Sequence, residues 1–167
     1  PGSTFHIVTT AAIPWFTGTA VHPLLRAAYL CRLVKDINTN NATATTTTAN
    51  NTTNNTTVAA NNTTTNNTNT TNTANNTIII QRVTLVIPWL ELEEDRLELY
   101  GTNPKHNFTS PQQQEEYIRN WLRTEAEMPD EADEVSGLKI LFYPARYHSG
   151  LKSIFAMGDI VSLILEE

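Results

Sequence analysis

Residues 38–77 consist of asparagine, threonine and alanine with one valine, Val58. No charged, aromatic, glycine or proline residue interrupts them. This tract limits what the chain can fold into. It carries too little apolar surface to offset the roughly 1–2 kcal/mol per residue that ordering a backbone costs. The composition therefore predicts a disordered low-complexity insertion at 38–77. Its many Asn-x-Thr triplets, such as Asn41-Ala42-Thr43, follow from the composition and carry no argument for glycosylation. Asn107-Phe108-Thr109 outside it is equally weak. What remains to fold is 1–37 and 78–167, 127 of 167 residues. That is one small α/β domain or half of a larger one.

The formal net charge of −6 argues against a nucleic-acid surface. Acidic residues gather at 91–98 and 125–134 and read as solvated faces. The single cysteine, Cys31, excludes an internal disulfide and a cysteine zinc cluster, and its apolar surroundings suggest a small core residue. No run of about 18 apolar residues predicts a membrane span. The sequence starts Pro1-Gly2-Ser3 and its first methionine is Met128, so it reads as a fragment or a processed product.

Apolar periodicity predicts alternating strands and helices. "FHIVTT" (5–10) reads as a buried strand ended by Pro14. A helix starts near Ala20 or His22, with Thr17 or Thr19 as its N-cap and Pro23 in the first turn. Leu24, Ala27, Ala28, Cys31 and Val34 form its apolar face. "VTLVIPW" (83–89) is nearly all apolar, as a parallel strand covered on both faces should be. Residues 90–100 read equally as helix or loop. Ser110, Pro111 and Gln113 mark a helix start by N-cap, first-turn proline and capping box, with Tyr117, Ile118, Trp121 and Leu122 as the buried stripe. "GLKILFYPA" (137–145) is a third strand ended by Pro144. Residues 153–164 hold either a helix start or a last strand. The order predicts a Rossmann-like parallel sheet with right-handed crossovers.

Ligands of open parallel sheets bind beyond the carboxyl ends of the strands. The turn Thr17-Gly18-Thr19 lies there, before a helix whose free N–H groups suit a phosphate or a sugar hydroxyl. It reads as a ligand-binding turn or a plain connection. The dinucleotide pattern G-x-G-x-x-G is absent. Trp15 serves as a sugar-stacking platform, a membrane-interface anchor or a packed loop residue. Trp89 repeats the Pro-Trp pair, lining the mouth of the sheet or capping its core. His22 hydrogen-bonds a sugar, acts as acid or base, or is simply a solvated capping residue. His6 falls inside the strand and reads as structural. His106 and His148 read as loop residues without ligand-like partners, and no spacing predicts a metal site. "YPARYHSGLKS" (143–153) reads as a basic loop, with Arg146 and Lys152 either contacting a lipid headgroup or phosphate or simply solvated.

"TTAAIPWFTGTAVHPLLRAAYL", "VTLVIPWL", "SPQQQEEYIRNWL", "LFYPARY" and "KSIFAMGD", in that order, resemble the amino-terminal domain of the digalactosyldiacylglycerol synthases. The resemblance spans nearly everything outside the insertion. It implies the amino-terminal, acceptor-side half of a two-domain GT-B glycosyltransferase. It also implies galactose transfer from UDP-galactose to the galactolipid monogalactosyldiacylglycerol with no metal or other cofactor, on the membrane surface of the plastid outer envelope as a peripheral protein. Carried onto this chain, the substrate-binding positions are Trp15, Thr17, Gly18, Thr19 and His22, and no catalytic residue is assigned. The donor-binding half lies outside the sequence, so the segment alone is expected to be inactive. Another GT-B glycosyltransferase, or a truncated product that only binds lipid or a partner, are the alternatives.

Overall fold

The computed structural model describes residues 3–50 and 80–165, with side chains described for 3–40 and 82–165. Strand β1 (Ser3–Val8) leads through a loop into helix α1 (Gly18–Asn50), and β2 (Ile80–Leu90) follows. Helix α2 (Glu93–Tyr100), a 3-10 turn (Pro104–His106) and α3 (Pro111–Thr124) precede β3 (Lys139–His148). Strand β4 (Ser153–Ala156) and α4 (Ile160–Leu165) close the described chain. The four strands form one sheet in the order β1-β2-β3-β4. The first two pairings are parallel, with Phe5 opposite Val83 and Leu85 opposite Ile140; β3 and β4 pair antiparallel. This is the expected α/β class, a largely parallel Rossmann-like sheet.

The nearly all-apolar stretch 83–90 of β2 reflects burial on both sides. Val83, Leu85 and Ile87 pack with Leu24, Ala27, Ala28 and Cys31 of α1 and Ile118 and Leu122 of α3. Val86 and Leu90 pack with Tyr100, Phe108, Tyr143 and Ala145. The predicted apolar face of α1 is therefore its buried face. Burial pushes the Cys31 thiol pKa up, which keeps this free cysteine protonated.

Several boundaries differ from expectation. Strand β1 stops at Val8, well before Pro14, and Ala11, Ala12 and Ile13 turn into the core. The Ile13–Pro14 peptide is cis. Pro88 and Pro144 do not end their strands, which run on to Leu90 and His148. The Pro144 carbonyl accepts from Met157 N at 2.7 Å, just past the last β3–β4 pair, Ala145–Ala156. A residue's N–H and C=O point to the same side of a strand, so the missing N–H falls where the ladder has already ended. Residues 153–164 contain both alternatives, a strand and then a helix.

Helix α1 begins at Gly18, so Pro23 lies inside it rather than in its first turn. Proline cannot donate to the carbonyl four residues back. That carbonyl, Thr19 O, accepts instead from the buried hydroxyl of Thr9. The helix also continues past the predicted start of the insertion to Asn50, with the Thr39 hydroxyl donating back to Lys35 O at 2.9 Å. Extending an established helix costs far less than nucleating one. The rest of the predicted disordered insertion, from 51 to 77, lies outside the described residues.

The acidic stretches are not wholly solvated. In α2, Asp95 is buried; its carboxylate accepts from Arg146 Nε at 2.6 Å and Tyr147 N at 3.1 Å. Arg96 is buried with its guanidinium over the Trp89 ring, 4.7 Å from the centroid. Trp89 thus caps the core, one of its two expected roles. Glu131, 2% exposed, receives two hydrogen bonds from Arg32 at 2.9 and 3.0 Å. In α3 the Ser110 hydroxyl accepts from Gln113 N as expected, but the Gln113 side chain accepts from Thr109 N rather than closing the box on Ser110. Gln114 and Arg119 join Ile118 and Leu122 as its buried residues, while Tyr117 and Trp121 are half-buried.

Candidate functional site

The loop from Thr9 to Thr17 carries the chain from the end of β1 to α1, beside the carboxyl ends of β2 and β3. Thr9 holds it in place through all its polar groups. Its N–H donates to Val86 O at 3.0 Å and its carbonyl accepts from the Tyr143 hydroxyl at 2.9 Å. Its own hydroxyl bridges Thr19 O and the Ala11 backbone. Burial raises the Tyr143 phenol pKa to about 12, so it remains a donor at neutral pH. The Gln114 side chain, fully buried, donates to Ile13 O at 3.0 Å and to the Tyr100 hydroxyl at 3.4 Å. The loop is thus fastened to β2, β3 and α3 together.

On this base, Thr17, Gly18, Thr19 and His22 come together on one turn. Thr17 is the residue before α1; its carbonyl accepts from Ala20 N and Val21 N, both at 3.0 Å. The Thr17 and Thr19 hydroxyls lie 2.9 Å apart. Gly18, Thr19 and His22 are exposed and Thr17 is half-buried. Gly18 does not adopt a positive φ. What it supplies is space: a β-carbon there would meet only the His22 ring, at 3.8 Å. Exposed hydroxyls, an imidazole and first-turn N–H groups at the positive end of a helix can receive a polyhydroxyl or anionic group.

Trp15 stands apart from that cluster. It is half-buried, packs against both core clusters and meets Tyr147 edge-on at 6.4 Å. The neighbouring ring, Phe16, is 53% exposed and lies 6.3 Å from Trp121 of α3.

The basic loop expected at 143–153 is a hairpin, β3 turning into β4. Its Arg146 is occupied by Asp95, so it is not the free cation the sequence suggested. Lys152 is exposed at the turn with φ of +48°. His148 Nδ1 accepts from Leu151 N at 3.3 Å, and His106 contacts the Tyr117 hydroxyl at 3.2 Å. Both are therefore held in local structure. No helix among the described residues is long and apolar enough to cross a membrane.

Sequence reasoning missed Thr9, Gln114 and Tyr143. Their partners lie 10, 101 and 134 residues away, and no short-range pattern encodes such contacts.

A largely parallel sheet with an open, well-anchored turn after its first strand defines an α/β unit of the Rossmann-like class. No protein-family model matches the chain. Over 158 residues, 95% of its length, it is 35% identical to digalactosyldiacylglycerol synthase 1, chloroplastic, of Arabidopsis thaliana and to the protein of the same name from Lotus japonicus. It is 33% identical, again over 95% of its length, to digalactosyldiacylglycerol synthase 2, chloroplastic, of Glycine max. Over this stretch the chain is a relative of the digalactosyldiacylglycerol synthases. It spans 13% of the first two relatives and 22% of the third.

Proposed function

We propose that the chain forms the acceptor side of a galactolipid glycosyltransferase, within the amino-terminal half of a GT-B enzyme. The intact protein moves galactose from UDP-galactose to monogalactosyldiacylglycerol, giving digalactosyldiacylglycerol. The observation that carries this reading is the identity to synthases from three plants, which runs through 95% of the chain. The open turn at Gly18 supports it, because an acceptor sugar needs exposed hydrogen-bonding groups beside the cleft where the donor arrives.

Glycosyl transfer requires the acceptor hydroxyl within about 3–3.5 Å of the donor's anomeric carbon and stabilisation of the charge on the departing diphosphate. In this reading Thr17, Thr19 and His22 orient the acceptor sugar, Gly18 leaves room for it, and the half-buried Trp15 contributes from the preceding loop. The second requirement falls to the remainder of the enzyme, so the segment alone does not turn over. No metal or organic cofactor enters the scheme. The acceptor is a membrane lipid, so the protein works at a membrane surface as a peripheral protein. Its place is the plastid outer envelope, in keeping with the word chloroplastic in the relatives' names.

The test is radiolabel transfer from UDP-galactose to monogalactosyldiacylglycerol in vesicles. The intact protein should yield digalactosyldiacylglycerol and the isolated segment none. Transfer by the segment alone would refute the division of labour, and an intact protein that galactosylates no galactolipid would refute the function.

A further inference from the structure

We propose that the cleft beside α3 is a second saccharide-binding position that holds one neutral hexose unit; for the galactolipid enzyme read above, this would be a lipid-borne galactose. The cleft has a volume of about 600 Å³ and lies between the 3-10 turn and the outward side of α3.

Its lining follows from helical spacing. Residues four apart stack on one side of a helix, so Tyr117 and Trp121 make an aromatic row, and Glu116 and Asn120 make a polar row beside it. Both aromatic rings are half-buried, while Glu116 and Asn120 are exposed. Phe108 backs the aromatic row with its ring 5.5 Å from Tyr117, and the exposed Asn107 adds another amide at the rim.

The two rows match the two sides of a pyranose. Its C–H groups lie flat against an aromatic ring, and its hydroxyls donate to a carboxylate or pair with an amide that both donates and accepts. Ligand pockets commonly combine aromatic walls with a few placed polar groups. The Tyr117 ring is fixed before any ligand arrives: His106 meets its hydroxyl at 3.2 Å and its ring edge-on at 5.3 Å. Fixed rings lower the ordering cost of binding. The cleft is also next to the Gly18 turn. Phe16, which precedes Thr17, has its ring 6.3 Å from Trp121 of the cleft, so this pair links the two positions.

The experiment is titration of the isotopically labelled chain with methyl β-galactopyranoside, followed by amide and indole NMR shifts. The expected result is saturable movement, in the millimolar range, of the Trp121 indole N–H and the amides of 107, 116 and 120. Asn120→Ala together with Glu116→Ala should weaken binding at least tenfold without changing the melting temperature, since both side chains are exposed. The proposal is overturned by an absence of saturable shifts, by shifts confined to 15–22, or by binding indifferent to the double substitution. Binding at the cleft in a protein whose intact form galactosylates no lipid would keep this inference and remove the function above. Galactolipid transfer without saccharide binding at the cleft would do the reverse.

Discussion

Thr9 and Pro23 are coupled. Pro23 leaves Thr19 O without its helical donor, and the Thr9 hydroxyl fills the vacancy. Thr9→Val should cost about 1–3 kcal/mol, the usual penalty for stranding buried polar groups, seen as a lower denaturation midpoint at unchanged m-value. In a Pro23→Ala background the alanine N–H supplies the missing donor, so the same substitution should cost measurably less. Equal costs in both backgrounds would disprove the coupling. Two glycines give a second, contrasting test. A β-carbon at Gly137 would lie 2.3 Å from Asp133 O and 2.5 Å from Glu131 O, both backbone atoms, whereas at Gly18 it makes only ordinary contact. Gly137→Ala should destabilise by about 1–3 kcal/mol as overpacking does. Gly18→Ala should leave stability unchanged or raise it by up to about 1 kcal/mol, because glycine is a poor helix former. Galactolipid transfer by an intact protein carrying Gly18→Ala should nevertheless fall several-fold. Wild-type transfer would remove the turn from the site.

Between elements, the pairing of Arg32 on α1 with Glu131, in the segment between α3 and β3, makes stability depend on pH. The Arg32 hydrogen bonds hold the Glu131 carboxyl below its usual pKa, against the opposing effect of its burial. A carboxyl depressed in the folded state stabilises the fold above its unfolded pKa, about 4.3. That contribution is lost as pH falls through the lower, folded value. Melting temperature should therefore drop on acidification below about pH 4.5, and Glu131→Gln should flatten that drop while lowering the melting temperature at neutral pH. An unchanged acid limb in the variant would show that other carboxylates set it. The types and order of β1, α1, β2, α3 and β3 were legible in the sequence because apolar periodicity and capping residues act within a few positions of the chain, whereas 90–100 and 153–164 each read as two alternatives. The ends of β1, β2 and β3 were not, since those depend on where a neighbouring strand stops and on which side of the strand a proline's missing N–H falls. The buried charges Asp95, Arg96, Arg119 and Glu131 were hidden for a related reason: each is buried only because of a partner contributed by folding.

At the scale of the whole molecule, the part of the Asn/Thr-rich tract that follows α1 in sequence, 51–77, has no apolar pattern that a core would need. Replacing 51–77 by a Gly/Ser loop of about half that length should change unfolding free energy by less than about 1 kcal/mol, since loop-closure entropy varies by only ~0.6 kcal/mol per doubling of length. Loss of cooperative unfolding in that variant would mean the tract takes part in the fold. The amino-acid sequence by itself determined the α/β class, the apolar face of α1, the doubly covered strand β2 and the placing of Thr17, Gly18, Thr19 and His22 on one turn, because each follows from local spacing. Only the tertiary structure decided that Thr9, Tyr143 and Gln114 hold that turn, that Asp95 occupies Arg146, and that Phe16 packs on Trp121. Those contacts join residues from 10 to 134 positions apart, and only the packing of the sheet and helices brings such residues into reach.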